Sequence, residues 1–102
     1  MKAEIRTDIK GIERFIFAPG ADPERLHLHI SEVDVGMRAH APHEHEGQEI
    51  FFVLNGEAEA EVGEETHRLT TGEAIQVEGS VLHGIRNVGR DSLRYAVIIA
   101  KP

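Results

Sequence analysis

Hydrophobic and polar positions alternate along this chain over short stretches, and glycines interrupt the alternation. The clearest run is GEAEAEVG at 56–63, where Ala58, Ala60 and Val62 alternate with Glu57, Glu59 and Glu61. A repeat of two puts the apolar trio on one side of an extended strand and the carboxylates on the other, as a solvated face. A helix would mix the two sets on one surface. RLHLHIS at 25–31 alternates in the same way, with Leu26, Leu28 and Ile30 on one side and His27, His29 and Ser31 on the other. EIFFVLNG (49–56) and LRYAVIIA (93–100) are apolar on both sides, which predicts strands covered on both faces. Asn55-Gly56 at the end of the first is a hairpin-turn signal. From Gly36 onward the glycines fall every five to eleven residues, leaving strand-length segments between them.

No 3.6-residue repeat persists for three turns. APGADP at 18–23 reads as a loop, and residues 1–25 as N-terminal strands and loop. The pattern predicts one all-β domain over 1–102, either a sandwich or a small antiparallel β-barrel.

Bulk composition narrows the function classes. A 102-residue chain with 40% hydrophobic residues supports one core and one site, because a domain of this size buries roughly 65% of its unfolded surface. The net charge of −7 repels a polyanion, so nucleic acid is disfavoured as a partner. There are no cysteines, which excludes disulfides, thiolate zinc sites, iron–sulfur clusters and cysteine nucleophiles. Any metal must be held by imidazole and carboxylate. MKAEIRTDIKGIER lacks the apolar core of a signal peptide. No stretch approaches the ~20 apolar residues of a membrane span. The expected location is the cytoplasm, with no membrane partner.

HAPHEHEGQE at 40–49 concentrates three histidines and three glutamates. His43 and His45 are two apart, so on extended chain their imidazoles point to one side. Glu49 has the same parity, and Glu46-Gly47-Gln48 can bend to bring it back toward them. His83 stands alone in SVLHGIRN, an otherwise apolar strand at 80–87. Three imidazoles and a carboxylate make a first coordination shell for a divalent first-row metal.

These residues carry a family resemblance. The first cupin motif is written G-x5-H-x-H-x3-E-x6-G. Here Gly36 is followed by six residues, then His43, His45, Glu49 and, six further on, Gly56. The second is G-x5-P-x-G-x2-H-x3-N, and Gly72, His83 and Asn87 match it in register, with Glu78 and Ser80 where Pro and Gly are expected. The chain resembles a small single-domain bacterial cupin over about 26–100, with motif 1 at about 36–56 and motif 2 at about 72–87. The resemblance implies an antiparallel β-barrel of jelly-roll type with one divalent ion (Fe, Mn, Ni, Co or Zn) inside one end, on His43, His45, Glu49 and His83.

Three neutral imidazoles and one carboxylate leave such an ion with net charge about +1. An octahedral ion keeps two cis positions for a chelating small-molecule ligand, as Lewis acid or redox centre. A tetrahedral zinc on all four ligands is closed and structural. The expected function is an enzyme acting on a small oxygen-rich metabolite, oxygenase-like or isomerase-like, with Glu49 also a candidate proton acceptor. The alternatives are a non-catalytic module binding a sugar-like ligand and a purely structural metal site.

Other candidates have weaker signals. His29, His40, Phe51, Val53 and Ile85 are candidate pocket residues. Phe51 and Val53 share the parity of Glu49, Ile85 shares that of His83, and plain core packing explains all three equally well. His40 lies three before His43, off the motif. His27 and His29 face either solvent or the barrel interior. Gln48 points away from Glu49, and His67 belongs in an exposed turn beside Glu64 and Glu65. Strands 49–54 and 93–99 need more cover than one small barrel supplies, which predicts a homodimer.

Overall fold

The computed structural model of the protein describes residues 2–9, 11–16, 22 and 24–102. The chain there runs through β1 (Glu4–Ile9), β2 (Ile12–Ile16), β3 (Leu26–Val33), β4 (Gln48–Asn55), β5 (Glu57–Val62), β6 (Glu65–Thr70), β7 (Ala74–Glu78), β8 (His83–Asn87) and β9 (Leu93–Ala100). Among the described residues no helix is long and apolar enough to cross a membrane. The loop expected at 18–23 lies outside them, except for Asp22, whose carboxylate accepts the Glu24 N–H at 2.9 Å.

The strands form two antiparallel sheets, ordered β1-β2-β3-β9-β4-β7 and β6-β5-β8. They face each other as a jelly roll. Val33, Phe51, Val53, Val77, Leu93, Tyr95 and Val97 of the larger sheet meet Ala58, Ala60, Leu69 and Ile85 of the smaller one. Burying each large member of this cluster stabilises the fold by roughly 1.5–3 kcal/mol. Asn87 ties the sheets together: its fully buried amide donates to Val33 O on β3 (3.0 Å) and to Asp91 O (2.8 Å).

Four local expectations change. Asn55-Gly56 does not close a hairpin. β4 pairs with β7 and β9 while β5 pairs with β6 and β8, so this turn is a corner between sheets, with Gly56 at φ 112°. The strand read at 80–87 begins only at His83, because Val81 and Leu82 lie exposed in the turn before it. His67 sits on β6 rather than in a turn. The glutamate face of β5 is a ladder of ion pairs rather than a solvated stripe: Glu57 with Arg68 (2.7 Å), Glu59 with Arg86 (3.2 Å) and Glu61 with Arg38 (2.7 Å).

The sidedness of β3 matters most for the site. His29 pairs with Val97, Ser31 with Tyr95 and Val33 with Leu93. Directly paired residues share a side, and Val97, Tyr95 and Leu93 are core residues. His27, His29 and Ser31 therefore face inward, and Leu26, Leu28 and Ile30 face outward.

Candidate metal centre

His43, His45, Glu49 and His83 come together at one end of the sandwich, each offering one ligand atom, all within 4.8 Å of one another. Three pieces of backbone place them. A two-residue bridge pairs His43 with His83, each N–H donating to the other's carbonyl at 2.9 and 3.0 Å. Gly47, at φ 93°, bends the chain so that Glu49 returns at the head of β4. Gly79 then pins the loop: it accepts the His45 N–H (2.9 Å) and donates to Gly47 O (2.8 Å). A Cβ at Gly79 would lie 2.6 Å from two backbone oxygens and 2.7 Å from His45 Nδ1. The glycine that motif 2 puts at position 80 is thus replaced in function by its neighbour.

The protonation of two rings follows from their partners. His83 Nδ1 lies 2.7 Å from Val81 O, and His45 Nδ1 lies 2.8 Å from Glu46 O. A carbonyl only accepts, so both Nδ1 atoms carry a proton, and in the neutral ring Nε2 is then the atom that presents a lone pair. The two Nε2 atoms face each other at 3.2 Å. Glu49 Oε1 lies 2.8 Å from His45 Nε2, and Oε2 lies 3.4 Å from His83 Nε2. With neutral rings these are electron-rich donors converging on one place, an arrangement that a cation among them would stabilise. Metal bonds of about 2.1 Å put neighbouring donors about 3.0 Å apart at a right angle and about 3.4 Å apart at a tetrahedral angle. The spacings among His45, Glu49 and His83 fit both, so these three donors suit a divalent ion as they stand, while His43 stands further off, within 4.8 Å of the others. The Nδ1 anchors on backbone carbonyls are the outer partners that orient histidine ligands.

The centre is buried on one side and open on the other. His83 is fully buried and Glu49 is 2% exposed, whereas His43 is exposed. His40 stacks on His43 with centroids 4.4 Å apart, and its own Nδ1 donates to Ala41 O at 2.8 Å. Burial, and then the neighbouring His40 and His83, push the His43 imidazole below its ordinary pKa. Phe51 lies beneath the site, its ring 6.1 Å from that of His83. Val53 and Ile85 are buried in the core between the sheets. Gln48 points outward to Glu78 (3.2 Å).

A family model described as a cupin domain matches residues 29–99, which span both motifs and all four ligand candidates. The chain belongs to the cupin family. Solved structures agree in fold. A cupin superfamily protein from Desulfitobacterium hafniense has a TM-score of 0.77 at 17% identity, with 97% of this cupin and 84% of that chain covered. A predicted oxalate decarboxylase from Thermotoga maritima gives 0.74 at 19% identity, covering 99% and 93%. KdgF from Halomonas sp. gives 0.69 at 28% identity, covering 97% and 87%. No curated protein matches this cupin.

Facing the metal centre from the larger sheet stand two residues of the sequence reading, His27 and His29, and one it missed, Arg14. His27 Nε2 and His29 Nδ1 are 2.6 Å apart. Burial pushes His29 down to about 4, with His27, Arg14 and His40 adding to the effect. His27 is also lowered, by burial and then by Arg14, while the Glu49 carboxylate pulls the other way. Six of the seven histidines thus gather at one end of the molecule, and His67, beside Glu65 at 3.3 Å, is the exception. Two surface grooves of about 420 and 400 Å³ lie at the other end, lined by Asn55–Glu57, Thr70, Thr71 and Gly89–Asp91, and by Gly11, Glu32, Asp34 and Ser92. The chemistry is concentrated at the histidine end, which is where the candidate site belongs. Arg14 had a signal in the sequence: IERFI places it between Ile12 and Ile16 on one side of β2, a charge in an apolar row.

Proposed function

We propose that this cupin holds a divalent metal on His43, His45, Glu49 and His83 and uses it on a small oxygen-rich metabolite, as an enzyme of oxygenase-like or isomerase-like type. The observation that carries the reading is the meeting of two histidine Nε2 atoms with a buried carboxylate, each ring fixed through Nδ1 by a backbone carbonyl. When bound, the metal supplies Lewis acidity and a template for adjacent ligand oxygens, or redox chemistry if it is iron or manganese.

The chain's own residues supply the rest. His83 and Glu49 form a buried floor that keeps bulk water from one side. Exposed His43 leaves approach open from the other, which favours a working site over a closed structural one. Glu49 keeps a second oxygen beside His83 and is the carboxylate placed to take a proton from a bound ligand. His40, His29 and His27 line the approach with imidazole hydrogen-bonding groups.

Metal content by mass spectrometry on untagged protein tests the assignment. About one equivalent is expected in the wild type and a small fraction of that in His83→Ala. A metal-free wild type that folds and takes up no added Mn(II), Fe(II), Co(II), Ni(II) or Zn(II) refutes it. Incubating the loaded protein with a metabolite library separates enzyme from binding module: tight binding with no product favours the module.

We also propose that the protein is a homodimer. Leu26, Leu28, Ile30, Ile50, Phe52 and Ile98 share the outer side of the larger sheet, and Phe52 and Leu26 are 36% and 47% exposed. A self-complementary apolar face of this kind suits a two-fold partner.

A further inference from the structure

Arg14 is out of keeping with the other arginines. Each other half-buried arginine among the described residues is tied to a glutamate: Arg38 to Glu61 (2.7 Å), Arg86 to Glu59 (3.2 Å) and Arg94 to Glu13 (3.0 Å). Arg14 is half-buried too, but among the described residues it makes no ion pair, and its buried Nε has no hydrogen-bond partner. The chain has 18 carboxylates, and all of them fall within the described residues. A guanidinium kept from them in an acidic protein is available to a different anion.

Its surroundings say where that anion would sit. Arg14 pairs with His29, His29 with Val97 and Val97 with Phe51. Partners across a sheet share a side, so Arg14 and His29 point inward with Phe51. One row toward the open end, His27 pairs with Ile99, and Ile99 with Glu49. In the strand order His27 on β3 stands between β2, which carries Arg14, and β4, which carries Glu49, and both charges act on its ring. With strands about 4.8 Å apart and about 3.4 Å per residue, the Arg14 and Glu49 Cα atoms are about 16 Å apart along the sheet. The long arginine side chain from one end and the metal ligands from the other shorten that gap to the length of a small linear molecule.

We propose that Arg14, flanked by His29 and His27, anchors the free carboxylate of a small carboxylic acid whose other oxygens bind the metal centre. The ligand class is then a compact dicarboxylate or a hydroxy- or keto-acid, and not a neutral sugar. This deepens the metal-centre reading and rests on it. A guanidinium fork matches a carboxylate in two parallel hydrogen bonds. His27 and His29 bring neutral ring nitrogens to the same spot. A carboxylate bound there would fill the hydrogen-bonding vacancy at Arg14.

The test uses cobalt-loaded protein and the unbranched dicarboxylates from oxalate to adipate, with acetate and butyrate as controls, followed by calorimetry. At least one dicarboxylate is expected to bind the wild type more tightly than either control. Arg14→Gln should weaken that binding about tenfold or more and leave the cobalt spectrum of the ligand-free protein unchanged. Arg14→Lys, which keeps the charge and loses the fork, should fall between. Equal affinity of Arg14→Gln and wild type overturns the proposal, and so does a wild type that binds none of the dicarboxylates. Should Arg14→Gln fail to fold, Arg14→Lys decides alone, and wild-type affinity in it is the contrary result. Failure of the wild type to hold cobalt counts against the metal centre instead. Arg14-dependent binding of dicarboxylate to that metal-free protein would still support the anchor.

Discussion

His83 does two things at once, and they can be separated by experiment. Its Nδ1–H donates to Val81 O, which orients the ring, and its Nε2 faces the other donors of the candidate site. His83→Ala removes both. We expect metal affinity to drop about a hundredfold or more, read as metal per chain after dialysis. The loaded wild type should also melt higher than the variant by 10 °C or so, because binding to the folded state alone adds stability. In metal-free protein the difference should shrink, since the stabilisation by bound metal is then absent from both proteins. His29 predicts a pH effect. Its folded pKa is pushed down to about 4 from 6.5, so between these values the unfolded chain takes up a proton that the folded chain refuses. Stability is therefore lost as pH falls through that window, by about 1–3 kcal/mol once solvent screening is allowed for. His29→Gln should flatten the part of the acid slope that His29 causes. Urea midpoints of the two proteins at pH 7 and pH 4.5 check it: equal losses on acidification would show that His29 does not contribute.

At the scale of elements, the ligand geometry depends on a glycine that carries no functional group. Gly79 lies where a Cβ would meet Gly47 O, His45 O and His45 Nδ1 at 2.6–2.7 Å. Two of those are backbone atoms that cannot swing aside. Gly79→Ala should therefore cost about 2–4 kcal/mol and displace His45, so metal affinity falls along with the melting temperature. An alanine variant with wild-type metal content would mean that the 45–47 loop yields freely. The motif spacing located His83 and Asn87 correctly even though Glu78 and Ser80 depart from it. A turn can be met by a glycine one position away if the carbonyls it must approach move with it. Sequence could not reveal that shift, because the close approach exists only once β4 and the 43–47 loop are packed together.

At the scale of the whole molecule, the proposed dimer would form on the outer face of the larger sheet. Phe52 is 36% exposed in the middle of that face, opposite Ala96. Light scattering at micromolar concentration should give twice the monomer mass for the wild type. Phe52→Glu should shift it toward monomer with metal content unchanged, because Phe52 points away from the ion. A monomeric wild type would leave the outer leucines and isoleucines of β3 and β9 without the explanation offered here.

What the sequence determined by itself was the alternation that makes strands and the four residues that come together as the candidate metal centre. Both are local or fixed-spacing properties: a repeat of two is imposed by strand geometry, and His43, His45, Glu49 and His83 hold places in two spaced motifs. Which way β3 faces was decided only by tertiary structure. Leu26, Leu28 and Ile30 would point inward if each strand buried its most apolar side. β9, however, is apolar on both sides, so its outer face is as favourable a neighbour for leucine as its inner one. Pairing register then chose: Val33 opposite Leu93 puts His27 and His29 inside. The same register carried Arg14 inward opposite His29. A one-residue slip would reverse every one of these side chains, and the stretch 25–31 read alone is equally consistent with either face.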